Sequence, residues 1–307
     1  LNLIKNSDNK ISSFLTIQEG CDKFCKFCVV PYTRGPEHSR SLSEILIEAK
    51  QLVDNGAKEI ILLGQNVNAY KFKNQKLSDL LYSLSEIKNL KRIRYTTSHP
   101  KDFTDDLIKA HVECKKLMPL LHLPVQSGST KILQNMNRNH TIEEYLEIIE
   151  KLKEKKPSIK FSSDFIIGYP GETKDDFEQT VSLMKQVEFI NSYSFIFSAR
   201  PGTPAANLKK VDEKIAKERL LIFQRAANEI KEKYRKALVN STASVLFENN
   251  TRGSDRYFGR DEYFNSVIVN SNENLTGKIR NVKINSCNQN TLFGEVSLED
   301  NPKEHAA

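Results

Sequence analysis

Between residues 13 and 198, short β-prone runs alternate with longer segments in which apolar residues recur at helical spacing. A pattern that switches between a period of 2 and a period of 3.6 marks βα units and a parallel sheet. It predicts strands at residues 14–18, 59–63, 92–97, 120–123, 160–167 and 193–198. A helical stretch follows each. The clearest are residues 42–55, 77–87, 141–155 and 174–187, with Ser41 and Thr173 as N-caps and Asn55-Gly56 as a stop. Six such units build a partial or full barrel or a doubly wound sheet, and in each of these the functional groups gather at the C-terminal ends of the strands.

Past a Pro-rich turn at residues 199–204 the texture changes. Residues 212–238 are heavily charged and contain neither Gly nor Pro, which predicts one long bridging helix. Short β-prone runs follow at residues 243–247, 266–269, 278–284 and 291–297, separated by Asn, Gly and Ser. They predict a small all-β barrel. The expected division is an α/β domain over 7–237 and a β-barrel domain over 238–302, with a loose tail at 299–307.

With 307 residues, 38% of them hydrophobic and 28% charged, the chain is too long for a disulfide-stapled module and too apolar for a disordered one. The longest apolar runs, residues 60–63 and 165–167, fall far short of the roughly 20 residues of a membrane helix. Neither a membrane span nor a signal peptide is expected, and the chain is placed in the cytoplasm. Its net charge of +7 favours an anionic partner such as nucleic acid. The bias is uneven: residues 240–307 hold 7 basic and 9 acidic side chains, net −2, which leaves +9 on the rest.

Five cysteines are an odd number, and three of them cluster at Cys21, Cys25 and Cys28. A disulfide framework would be even and dispersed; clustered thiols in a reducing compartment are more often metal ligands. Cys114 and Cys287 read as ordinary thiols. The C-x₃-C-x₂-C spacing directly follows the first predicted strand. Three thiolates on one short loop can hold three corners of an iron–sulfur cube, leaving the fourth iron open for chemistry. Structural zinc is the alternative; it requires a fourth ligand, and His38 is the nearest candidate.

This loop resembles that of the radical S-adenosylmethionine superfamily. The flanking blocks, at residues 28–35, 63–68, 96–100, 122–129, 162–173 and 194–204, resemble its methylthiotransferases, above all the branch acting on N6-isopentenyladenosine beside the anticodon of tRNA. The resemblance covers nearly the whole chain. It implies a (βα)6 partial barrel followed by a small all-β TRAM barrel, with Cys21, Cys25 and Cys28 holding a 4Fe-4S cluster whose open iron chelates S-adenosylmethionine. Phe27 would lie near the adenine of that cofactor. Gln65, Asn66, Ser98, Gln126 and Asp164, each at or just past a predicted strand end, suit a zwitterionic amino acid and a ribose. Arg138 suits the methionine carboxylate. Arg34 and Arg200 are candidates for RNA or substrate contact. In the C-terminal barrel, Arg252, Arg256, Arg260 and Arg280 are candidates for a basic face, and Tyr257, Phe258, Tyr263 and Phe264 for base stacking.

By the same resemblance, one electron from the reduced cluster cleaves S-adenosylmethionine to a 5′-deoxyadenosyl radical, which takes hydrogen from carbon 2 of the adenine ring. Sulfur comes by way of a second, auxiliary cluster held by three cysteines of a further N-terminal domain. The sequence begins with Leu1, and no cysteine precedes Cys21. The expectation is therefore a chain equivalent to the C-terminal two-thirds of such an enzyme, able to cleave S-adenosylmethionine but not to complete methylthiolation unaided. Its expected partners are a tRNA carrying N6-isopentenyladenosine and a flavodoxin- or ferredoxin-like electron donor, and the expected state is a monomer. The alternatives are a sibling methylthiotransferase acting on threonylcarbamoyladenosine or on a ribosomal-protein aspartate, and a non-catalytic RNA-binding remnant.

Overall fold

A computed structural model describes residues 10–251 and 255–297. The start of the expected first domain at residue 7, Arg252, and the tail at 299–307 lie outside the described residues. Six parallel strands form the α/β part: β1 (Ser12–Thr16), β2 (Glu59–Leu63), β3 (Arg92–Tyr95), β4 (Leu120–His122), β5 (Lys160–Ile167) and β6 (Asn191–Ile196). They run in two hydrogen-bonded triplets, β1-β2-β3 and β4-β5-β6. A single bridge, Ile93 to Leu117, joins the triplets, with Ile93 N donating to Lys116 O at 2.7 Å. Among the described residues β1 pairs only with β2 and β6 only with β5 along that curve, so the barrel is partial.

The helices α1 (Leu42–Asp54), α2 (Leu77–Ser85), α3 (Asp105–Glu113), α4 (Ile142–Lys155) and α5 (Lys174–Val187) cover the outer face. Ser41 and Thr173 are N-caps, each in a reciprocal capping box with the acid three residues on. Strand alternation sorts the rest. Leu15, Ile60, Leu62, Ile93 and Leu121 turn outward into one core with Ile45, Leu80, Leu81 and Ile149 of the helices. The opposite parity, Glu59, Arg94, His122, Ser162 and Asp164, faces the lumen. Fully buried strands such as Glu59–Leu63 read as apolar runs for that reason.

The long helix α6 (Glu213–Leu238) is more than a bridge. Phe223 is fully buried, with its ring 4.7 Å from that of Phe165 on β5, so the helix packs on the barrel wall. Arg219 reaches back to the buried Glu172 at 2.8 Å.

Five strands close a separate barrel: β7 (Thr242–Asn250), β8 (Arg256–Arg260), β9 (Ser266–Asn270), β10 (Ile279–Cys287) and β11 (Thr291–Val296), in the order β7-β8-β9-β11-β10. Val245, Phe247, Val267, Val282, Ile284 and Leu292 fill it. The sequence pattern anticipated four of these strands and missed β8. Candidate stacking residues in this barrel are mostly committed elsewhere. Tyr257 is in the core, Tyr263 donates its hydroxyl to Ser158 O, and the Phe264 ring lies under two guanidiniums. Arg260 pairs with Glu248 and Arg280 with Glu273, which leaves Arg256 as the exposed arginine of the candidate face among the described residues. Among the described residues no helix is long and apolar enough to cross a membrane.

Candidate active site

The segment after β1 turns sharply at Gly20, whose φ is +74. A Cβ there would lie 2.0 Å from Pro36 O, so only glycine lets the two backbone segments cross this closely. Cys21, Cys25 and Cys28 follow on the resulting loop, Cys25 buried and the other two half-buried. Gln18, 1% exposed, braces the turn: its Nε2 donates to Gly20 O at 2.8 Å, and its Oε1 accepts from Gln65 N and Asn66 N. Gln65 Oε1 in turn accepts from Gly20 N at 2.7 Å. The ends of β1 and β2 are thereby locked to the cysteine loop.

A polar network fixes its other side. Asn66 Nδ2 donates to Glu37 Oε1 at 3.1 Å and to Asp102 Oδ2 at 2.7 Å, and Lys23 pairs with Asp102 at 2.7 Å. Asn137 Nδ2 donates to Phe24 O at 3.0 Å. Arg138, 5% exposed, donates to Pro124 O and stands 3.8 Å from Cys25 Sγ.

A cavity of about 360 Å³ opens beside this loop. Cys21, Cys25, Cys28, Phe27, Gln65, Asn66, Ser98, Gln126, Arg138 and Asp164 all line it, so ten residues singled out in the sequence meet at one place. They come from the ends of several strands and the loops beyond, as alternating βα units dictate. Arg34 and Arg200 do not join them. Arg34 stands exposed at the end of the short helix Val30–Arg34, and Arg200 is exposed on the turn after β6. Gln65 and Asn66 take part as braces of the loop as well as lining residues. Phe27 lines the cavity and also packs against Ile132, Met136 and Phe197.

Sequence reasoning missed Gln18, Glu37, His99 and Asp102. His99 lies within a block that it quoted; the others carried no local signal. His99 Nδ1 accepts from Lys101 N, and burial together with the nearby Arg138 charge keeps the imidazole neutral. Backbone strain also concentrates here: Phe24, Thr97, Gln126 and Asn137 all have positive φ, which for a β-branched residue such as Thr97 is costly.

Several observations bear on what the cavity holds. Among the described residues no three His, Cys, Asp or Glu side chains converge where a single ion would sit. Three thiolates on one short loop are the donor set of a cluster with one open iron, whereas structural zinc needs a fourth protein ligand. His38 is exposed and sits in a two-residue ladder with Glu19, away from a zinc role. Burial pushes the Cys21 thiol up to about 11 and Cys28 upward as well. Thiolate ligation therefore depends on the metal's own charge to offset desolvation. Four polar atoms of the lining, Asn66 Oδ1, Ser98 Oγ, His99 Nε2 and Arg138 Nε, are buried without a hydrogen-bond partner. Orphaned groups facing one cavity call for a polar ligand, and an amino-acid zwitterion attached to a nucleoside supplies acceptors and donors for them.

Comparison with known proteins agrees with this geometry. Residues 15–184 match the radical SAM superfamily. The chain is 59% identical over 99% of its length to the tRNA-2-methylthio-N(6)-dimethylallyladenosine synthase of Pelagibacter ubique, covering 69% of that protein. It is 51% identical over 93% of its length to the protein of the same name from Rickettsia akari, covering 66% of it. The chain thus spans about two thirds of the length of these curated relatives. In fold it is similar to the radical S-adenosylmethionine methyltransferase TsrM from Kitasatospora setae, solved with cobalamin and a [4Fe-4S] cluster. The TM-score is 0.54 at 16% identity, over 63% of this chain and 38% of that one. The chain belongs to the radical SAM superfamily, whose enzymes work with a 4Fe-4S cluster and S-adenosylmethionine, and within it to the methylthiotransferase family of these two relatives.

Proposed function

We propose that the chain is the S-adenosylmethionine-cleaving part of a tRNA methylthiotransferase that modifies carbon 2 of N6-dimethylallyladenosine (N6-isopentenyladenosine) next to the anticodon. The observation that carries this reading is the meeting of the three-cysteine loop with seven further sequence-predicted side chains around one cavity. In this reading Cys21, Cys25 and Cys28 would hold the 4Fe-4S cluster, and S-adenosylmethionine would bind beside it in the cavity that they line. When bound, the reduced cluster supplies the electron that cleaves this cofactor to the radical that takes hydrogen from carbon 2 of the adenine.

The protein's own residues orient and enclose. Arg138, held by Pro124 O and still carrying an orphaned Nε, faces the methionine carboxylate. Ser98, Asn66 and Gln126 present hydrogen-bonding groups to the amino acid and ribose, with Asp164 on the ribose side. Phe27 covers the adenine. Gln18 and Asp102 position the loop without touching the cofactor, and Gln65 braces the loop while lining the cofactor's cavity. Arg34, exposed at a helix end, and Arg200, exposed on a turn, both within the +9 portion of the chain, contact RNA phosphates, and an α/β domain over 7–237 precedes a TRAM barrel over 238–302. Electrons come from a flavodoxin- or ferredoxin-like donor, and the protein acts as a cytoplasmic monomer.

The five cysteines supply one three-cysteine set. The share of the reaction assigned to these residues is therefore radical generation and hydrogen abstraction, with sulfur insertion assigned to a second cluster that they do not ligate. Anaerobic reconstitution followed by a 5′-deoxyadenosine assay tests the reading. Brown protein that releases 5′-deoxyadenosine supports it; colourless, inactive protein favours an RNA-binding remnant. Formation of the full methylthio product on isopentenylated tRNA by this chain alone overturns the division of labour. Nucleosides from tRNA of a deletion strain distinguish this substrate from threonylcarbamoyladenosine.

A further inference from the structure

The lumen continues below the cysteine-lined cavity. A second cavity, of about 260 Å³, adjoins it toward the N-terminal ends of the strands. Thr97 lines both, and His122 in the lower one stands 3.5 Å from Asp164 in the upper. Ile61, Leu120 and Tyr193 wall the lower cavity. Thr96, Ser162 and Asn191 add polar groups to the lining, and one residue comes from the other domain: Phe264, on the turn between β8 and β9.

That turn is clamped in place. Arg92 donates to Arg260 O and Ser244 O at 2.8 Å, and Arg94 donates to Glu262 O and Asp261 O at 2.9 Å. Asp261, 2% exposed, accepts from the N–H groups of Tyr263 and Asn265 and from the Asn265 amide. Phe264 itself has φ +65, a conformation that bulky residues rarely adopt. Its ring centroid lies 4.9 Å from the Arg94 guanidinium and 4.2 Å from that of Arg260. The result is a fixed apolar surface at the bottom of the lumen.

The cavity's charges are already matched. Its guanidinium, Arg94, already pairs with Glu59 at 2.8 Å, and His122 Nε2 lies 3.5 Å from Asp164 Oδ1. An anionic group entering here would stay unpaired, whereas a neutral hydrocarbon would be buried against Ile61, Leu120, Tyr193 and Phe264. We propose that Phe264 is the floor of the pocket for the N6 substituent of the target adenine. It selects a short branched hydrocarbon over the unmodified amine or a carboxylate-bearing substituent. The inference rests on the substrate reading above, and it gives the C-terminal barrel a part in substrate selection beyond any hold on the RNA backbone.

The test is fluorescence anisotropy with labelled anticodon stem-loops. These carry adenosine, N6-dimethylallyladenosine, N6-threonylcarbamoyladenosine or N6-geranyladenosine at one position, and are bound to the wild-type chain and to Phe264→Ala. The wild type is expected to bind the dimethylallyl RNA about tenfold or more tighter than the unmodified one, and the other two no tighter than the unmodified one. Phe264→Ala is expected to lose most of that preference and to admit the geranyl chain. A folded Ala variant with the wild-type ratios overturns the role of Phe264 while leaving the tRNA reading intact. Wild-type protein that holds geranyl RNA as tightly as dimethylallyl RNA overturns the floor without recourse to a variant. Absence of any preference in the wild type overturns the substrate reading and this inference together.

Discussion

Gln65 Oε1 accepts a 2.7 Å hydrogen bond from the backbone N–H of Gly20, so the end of β2 sets the entry to the cysteine loop. Gln65→Leu keeps the size and leaves that N–H without its partner, at a cost of about 1–3 kcal/mol in loop order. Iron content and visible absorbance after anaerobic reconstitution are expected to fall while the far-UV dichroism stays unchanged. Full iron loading of the variant would show that the loop does not need this brace. Gly20→Ala is expected to act more severely, because its Cβ would meet Pro36 O at 2.0 Å.

Replacing Cys21, Cys25 or Cys28 with Ala is expected to abolish both iron–sulfur absorbance and 5′-deoxyadenosine release. Cys114→Ala and Cys287→Ala, in the barrel core and beside the C-terminal core, should retain both. Loss of the cluster in either of these two would break the assignment of ligands.

Arg94 and Glu59 form an ion pair whose side chains are 7% and 1% exposed, and the same guanidinium clasps the turn of the C-terminal barrel. Glu59→Gln removes the carboxylate paired directly with the buried cation, a change expected to cost about 3–5 kcal/mol. Urea denaturation reads the loss as a lower midpoint. Limited proteolysis should cut the linkage between the domains faster than in the wild type. An unchanged midpoint would mean that the clasp contributes no stability.

His111 is fully buried, with its Nε2 2.6 Å from the Tyr95 hydroxyl, and burial pushes its pKa down to about 3. In the unfolded chain it titrates near 6.5. Between those values the unfolded state binds a proton that the folded state refuses. Stability is therefore complete above about pH 6.5 and falls as pH drops toward 3, by up to about 1.4 kcal/mol per pH unit. His140, pushed down to about 4 by burial and by Arg138, adds to the same window. Thermal melts from pH 7 to pH 4 should show this slope and His111→Phe should make it shallower, with His99 and His140 keeping the remainder; a wild-type profile that is flat over the range would contradict the account.

Much of the fold and of the site was legible in the sequence. Glu59–Leu63, Lys160–Ile167 and Lys174–Val187 were predicted to the residue, because interior strands and capped helices announce both ends through burial and turn chemistry. The edge strands were placed two residues late. Phe14, Tyr193 and Phe195 are 67%, 52% and 62% exposed on the free edges, so their hydrophobicity does not report core. Strand β8, with Arg256 and Arg260 at its ends and Gly259 within, has no apolar period. Only pairing with β7 and β9 makes it a strand.

By itself the sequence determined the six βα units and the cysteine trio at the end of the first strand, and its resemblance to a known family brought forward the further residues that share one cavity with them. Hydrophobic period and ligand spacing are local properties that survive without coordinates. Tertiary structure alone decided that Gln18, Glu37 and Asp102 brace the loop, that Arg34 and Arg200 stand apart from the cavity, and that Phe264 of the second barrel faces the lumen of the first. Those relationships are hydrogen bonds and ring contacts between segments far apart in the chain. No period or motif records them, because the pairing geometry exists only once both barrels have closed around their cores.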